Sequence, residues 1–294
     1  MKPKETINLY RVISLLVIAL VTFGVMGGLC AKSHLYPDEW LSMFFLTLIF
    51  LLACMFELEY ERKQKGISAN TQTTFIRLSV TYTVSGGLIY AISYLPEFYR
   101  PVMIPVILLT AVSNSMVAVS FGLFFDLVLA LTVGGSFYAL AAYMMLTMLA
   151  AVLAQALKEK KYRMGVSLLT FFFSLMIPEL FSYLSTKEMQ KYSLLYAFGT
   201  ALLTFLTAAF LFHRLLHEAD QEIENHLLDI VSEDYSEVKA LKDFSMVEYR
   251  HAVKVSDIAC RCAKEVGYRA NLCLAGGFYY RMGRWIGEPY IKNA

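Results

Sequence analysis

Seven stretches of this sequence are nearly free of charge: 12–31, 40–56, 78–95, 102–133, 136–156, 164–184 and 192–213. A run of about 18 or more apolar residues has few homes other than a bilayer. Lipid offers no partner to an exposed backbone N–H or C=O, so such a run closes its hydrogen bonds internally as a helix. Across the chain 57% of residues are hydrophobic and 17% are charged, against about 25% charged in soluble domains. The sequence therefore predicts an all-α, polytopic transmembrane helical bundle. The first block follows Lys2, Lys4 and Arg11, as the core of a secretion signal would. Its length exceeds the roughly 7–15 apolar residues of a signal core, and another span follows at once, so it reads as an uncleaved anchor.

Basic residues stay on the cytoplasmic side of a membrane. The N-terminus, the loop 57–77 (Arg62, Lys63, Lys65, Arg77) and the loop 157–163 (Lys158, Lys160, Lys161, Arg163) are rich in them. The connections 32–39 and 96–101 hold one each, Lys32 and Arg100, and 185–191 holds Lys187 and Lys191 beside Glu188. The first three regions read as cytoplasmic and the others as external. Parity then requires block 102–133 to begin and end outside. As one helix it would be about 48 Å long at 1.5 Å per residue, too long for a core of about 30 Å. It is expected to be a short hairpin broken at Ser113-Asn114-Ser115, giving about eight spans with both termini cytoplasmic.

Two acids lie inside apolar blocks, Asp126 and Glu179. Burying a carboxylate in a membrane is costly, which makes each a functional candidate. Glu179 follows Pro178 near the outer end of its span and suits an interfacial position. Asp126 falls near the midplane, where a polar interhelical contact competes with a ligand or ion role. Of the five cysteines, Cys30 and Cys54 are intramembrane, while Cys260, Cys262 and Cys273 lie in a cytoplasmic tail where disulfides are disfavoured. His213 and His217 are spaced i, i+4 without an evident third ligand, and read as polar anchoring at a membrane exit. Gly86-Gly87 and Gly134-Gly135 suit close helix packing or bends.

Beyond His213 the composition changes. Residues 214–248 hold ten acids and three bases, and 249–294 hold eight bases and three acids. Leu215, Leu216, Ile223, Leu227 and Ile230 form a helical stripe, so 214–248 reads as a helical linker. A helix is expected over 249–267, stopped by Gly267, and a second from Asn271 to about Tyr280. The expected organisation is an anchor span and short loop over 1–39, a seven-span domain over 40–213, the acidic linker 214–248 and a small tail over 249–294. The tail is too short for a dependable core of its own.

The tail residues carry a family resemblance. Glu248-Tyr249-Arg250-His251, then Ile258-Ala259, Val266-Gly267 and Tyr279-Tyr280-Arg281-Met282-Gly283-Arg284 follow the order of the first third of an HD domain over about 45 residues. The chain resembles the seven-transmembrane HD receptor family, which includes membrane-bound cyclic-di-AMP phosphodiesterases. An anchor followed by seven spans, with Ile104-Pro105-Val106 entering a short hairpin, is similar as well. That family usually carries a large external domain after its first span, for which residues 32–39 leave no room.

The resemblance implies a bacterial plasma-membrane location and, where its site is complete, a pair of divalent metals such as Mn or Fe. Here the His-Asp metal pair is replaced by Tyr280-Arg281. Arginine stays protonated and ligates no metal. Of the early ligands only His251 is kept, and the later ones would fall beyond residue 294. The expected protein is therefore a membrane sensor or regulator without a cofactor and without catalysis. Arg281, Arg284 and Arg250 are its candidate residues for a cyclic dinucleotide's phosphates. Self-association or a cytoplasmic partner is expected through 214–294, and nucleic acid is not. Two alternatives remain open: a metal-dependent phosphodiesterase whose missing ligands come from another chain or further sequence, and a small-molecule transporter-like bundle using Asp126, for which no repeat is visible.

Overall fold

A computed structural model describes residues 9–65, 72–159, 161–188 and 192–280. It is helical, with no strand among the described residues. The chain divides into two compact units, residues 1–217 and 218–294.

The first unit contains α1 (Leu9–Lys32), α2 (Pro37–Lys65), α3 (Gln72–Ile92), α4 (Met103–Val112), α5 (Ser115–Thr132), α6 (Phe137–Leu157), α7 (Arg163–Thr186) and α8 (Ser193–Leu206). A π turn (Thr207–Leu211) and the start of α9 (Phe212–Asp229) follow. Among the described residues seven helices are long and apolar enough to cross a membrane. Their faces are arranged for lipid. On α8, Leu195 and Phe198 point outward while Ala197, Thr200, Ala201 and Thr204 are buried. On α6, Val152 is 66% exposed and Ala139, Ala142, Ala150 and Ala154 are buried. On α7, Ser167, Thr170, Ser174 and Ser182 face inward. Large apolar side chains outside and small or hydroxylated ones inside suit helices whose backbones approach closely in lipid, where burying leucine gains little. The protein is a membrane-embedded helical bundle.

The 102–133 block breaks where expected. Ser113 and Asn114 separate α4 from α5, and Leu109 O accepts from both Ser113 N at 2.8 Å and Ser113 Oγ at 2.9 Å. The two helices fold back on each other: a Cβ built on Gly122 would lie 2.7 Å from Val106 Cγ2, and these residues are nearly equidistant from the break. The passes are unequal, however. α4 has 10 residues, about 15 Å at 1.5 Å per residue, and α5 has 18. The shortfall is made up by the segment before α4. A 3₁₀ turn, Glu97–Tyr99, and the residues after it run inside the bundle, with Phe98, Tyr99, Arg100 and Val102 buried. Glu97 Oε1 accepts from Ser136 N at the start of α6, and Ser115 Oγ accepts from Gln155 Nε2 near the end of α6 at 2.7 Å. Residues 97–115 therefore travel as far along the bundle as α6 does, about 28 Å. This run of buried loop and short helix lies beside the seven helices long enough to span.

The second unit contains most of α9, α10 (Ser236–Phe244), α11 (Met246–Val266) and α12 (Ala270–Tyr279). The single helix expected over 214–248 is interrupted at 230–235, where Ser232, Glu233 and Asp234 occupy a turn closed by Ser232 N to Asp229 O and Tyr235 N to Ser232 O, both 3.1 Å. Short polar side chains compete for backbone groups and favour such breaks over helix interiors. Residues 236–248 then turn back to pack rather than extend as a stalk. α11 starts at Ser245, whose hydroxyl accepts from Glu248 N at 3.3 Å. It stops at Gly267, with φ of 73°, where Tyr268 N reaches Ala263 O at 2.8 Å in a left-handed C-terminal cap. Val238, Leu241, Ala252 and Phe278 form a small core.

Candidate functional site

In the tail, α12 lies against α11 because Gly277 has no side chain. A Cβ there would come within 3.0 Å of Ser256 Cα and 3.2 Å of Val255 O. This approach brings Tyr280, one turn later, beside His251, whose Nε2 shares a 2.6 Å hydrogen bond with the Tyr280 hydroxyl. His251 and position 280, 29 residues apart, are thus neighbours in space. A metal-binding histidine needs a free ring nitrogen, and here Nε2 is already engaged by a phenol. Among the described residues no three His, Cys, Asp or Glu side chains gather to hold a metal ion. Among the described residues the arrangement does not fit a metal pair. Arg250 is exposed next to His251, while Arg281 and Arg284 lie outside the described residues. All five cysteines are free thiols.

Around this pair the tail is clasped by groups that the sequence did not single out. Glu233 accepts from Lys242 Nζ at 3.1 Å and from the Tyr249 hydroxyl at 3.2 Å. The hydrogen bond and charge of Lys242 hold the Glu233 carboxyl below its usual range, and the same contact raises Lys242. The Tyr279 hydroxyl donates to Ile230 O at the turn after α9, and burial pushes this phenol up to about 12.

The membrane unit holds a second polar place. Asp126 is fully buried on α5. Its Oδ2 accepts from Thr147 Oγ1 on α6 at 2.7 Å, and its Oδ1 has no hydrogen-bond partner. One turn before Thr147, Tyr143 donates to Glu97 O and accepts from Arg100 Nη1 at 3.2 Å. Arg100, read from sequence as an external loop residue, is 4% exposed because the loop dips into the bundle. Its Nε donates to Leu95 O at 3.3 Å. Glu179 is half-buried and accepts from the Tyr99 hydroxyl at 3.4 Å, so it fastens α7 to the same loop. Asp126 and Glu179 were visible in the sequence as acids in apolar runs. Thr147, Tyr143 and Arg100 were not, since a threonine or tyrosine in a span is ordinary and Arg100 flanks one. His213 lies beside Arg163, 2.7 Å from Nδ1 to Nη1, which agrees with a polar anchor at a helix exit.

No family model, no curated protein and no solved structure matches this chain.

Proposed function

We propose that this chain is a bacterial plasma-membrane sensor or regulator, related to the seven-transmembrane HD receptors, whose tail binds without hydrolysing. The observation that carries the reading is the His251–Tyr280 hydrogen bond of 2.6 Å. The two positions that the resemblance assigns to a metal site are adjacent in the fold, and position 280 holds a phenol hydrogen-bonded to the His251 ring. Water activation at a metal pair would need ligands beyond His251 and Tyr280. The ligand class is a cyclic dinucleotide, held by Arg281, Arg284 and Arg250 through charge-assisted hydrogen bonds to phosphate. Val247, Ile258 and Val266 are exposed on α11 and suit a second copy or a cytoplasmic partner. Both termini are cytoplasmic, on the distribution of basic residues between loops.

The test is binding of labelled cyclic-di-AMP to the detergent-purified full chain and to its Arg281→Ala/Arg284→Ala variant. The parent is expected to bind, and the double variant to lose at least tenfold in affinity, about 1.4 kcal/mol. Equal binding by the two would refute the assignment of these arginines.

A further inference from the structure

Asp126 is a carboxyl group with half of its bonding capacity unused, in a place where unused capacity is expensive. It is fully buried, Thr147 supplies the hydrogen bond to Oδ2, and Oδ1 faces no donor. A buried acceptor without a partner costs about 1–3 kcal/mol, more when charged. Something that the polypeptide does not supply must therefore complete this group at least part of the time.

The chemistry narrows the occupant. Calcium and magnesium take about six or more oxygen ligands, and among the described residues the Thr147 hydroxyl is the one side-chain oxygen bonded to this carboxyl group. Space is also short one turn away, where a Cβ on Gly122 would lie 2.6 Å from Thr147 Cγ2 and 2.7 Å from Val106 Cγ2. A proton needs one lone pair and no room, and Oδ1 offers that lone pair.

The neighbouring ionisable groups leave this role to Asp126. α4 carries none. α6 places Tyr143 within electrostatic reach of Asp126. α2 meets α5 through Glu57, which accepts from Ser120 at 3.2 Å, and also carries the buried Cys54. α1 contributes Cys30 among its buried residues, and α3 sets Tyr82 edge-on against Phe121. Arg100 stops at the Tyr143 hydroxyl. On α6 the Tyr143 hydroxyl is bonded to the Glu97–Arg100 loop and, one turn later, the Thr147 hydroxyl to Asp126.

We propose that Asp126 is a proton-binding site of the membrane unit, its unpartnered Oδ1 taking up and releasing one proton. Loading forms one O–H bond at Oδ1 and takes the carboxyl from anion to neutral acid, with the Thr147 bond kept at Oδ2. This site is independent of the tail: a failed nucleotide-binding assay leaves it standing.

Infrared difference spectra of the full chain in detergent, between acid and alkaline pH, test it. The parent is expected to show a protonated-carboxyl carbonyl band that appears on acidification and is missing from Asp126→Asn. Thr147→Val, which removes the hydrogen bond to the carbonyl oxygen, is expected to move that band to higher frequency. Identical parent and Asp126→Asn spectra, or a band that stays the same at both pH extremes, would overturn the proposal. Should Asp126→Asn fail to fold, Thr147→Val decides alone, and an unmoved band overturns it.

Discussion

Gly122 sits where α4, α5 and α6 converge, and its missing side chain sets their spacing. The atoms a Cβ would strike, Cγ2 of Thr147 and Cγ2 of Val106, belong to β-branched side chains that rotate little within helices. Gly122→Ala is therefore expected to cost about 1–3 kcal/mol through overpacking, read as a lower thermal midpoint in detergent; an unchanged midpoint would mean that the helices separate freely. Glu233 joins the turn after α9 to α10 and α11 through an exposed contact with Lys242 and Tyr249. Its carboxyl is held below the usual value of 4.5 by Lys242, so its contribution is present above that value and is lost as pH falls through the lowered one. Lys242 is raised above 10.5, so its part is present below 10.5 and is lost as pH rises beyond it. Hydrogen-exchange protection of α10 and the start of α11, corrected for intrinsic rates, should fall on acidification, and Glu233→Gln should remove that dependence. Tyr279, pushed up to about 12 by burial, favours the fold while neutral, so its contribution is lost only at strongly alkaline pH.

At the scale of elements, the spans were legible because hydrophobic length is a one-dimensional property. Every apolar block became helical, 102–133 as two helices, and Gly267 and Ser113-Asn114 stopped helices for reasons visible in the sequence. Gly86 packs as its setting suggested, with a built Cβ only 2.8 Å from Val21 Cγ1, and Gly134 takes a φ of 69° in the turn before α6. What the sequence concealed depends on pairing. Block 102–133 divides unevenly because Glu97 reaches Ser136 and Arg100 reaches Tyr143, contacts about 40 residues apart that no periodicity announces. The break at 230–235 was hidden by an apolar stripe that continues through Ile230, while the local turn chemistry of Ser232 to Asp234 prevailed. The Asp126 site was half visible: the acid was evident, and its partner Thr147 was one of many span threonines. The His251–Tyr280 contact was reachable only through the tail's family resemblance, since 29 residues separate the two.

For the whole molecule, the crossing number and the orientation are separable claims. Among the described residues seven helices are long and apolar enough to span, and an eighth crossing by residues 97–115 is the expectation to be tested. The charge rule assigns the sides, and single cysteines placed in a background lacking the native ones can read them. A membrane-impermeant thiol reagent applied to intact cells should label cysteine at position 34 or 188 and spare it at 159. Position 115 should behave like 159, because Ser115 bonds Gln155 near the end of α6. Labelling at 115 from outside would mean that residues 97–115 do not traverse the bundle.

The claim that the tail binds but does not hydrolyse is tested most directly by incubating the purified full chain with labelled cyclic-di-AMP, with and without manganese, and analysing the recovered ligand. The account predicts saturable binding that does not depend on manganese, with the nucleotide recovered intact. Manganese-dependent appearance of a linear dinucleotide or mononucleotide would contradict it, since the tyrosine on His251 would then have to yield to a working metal site.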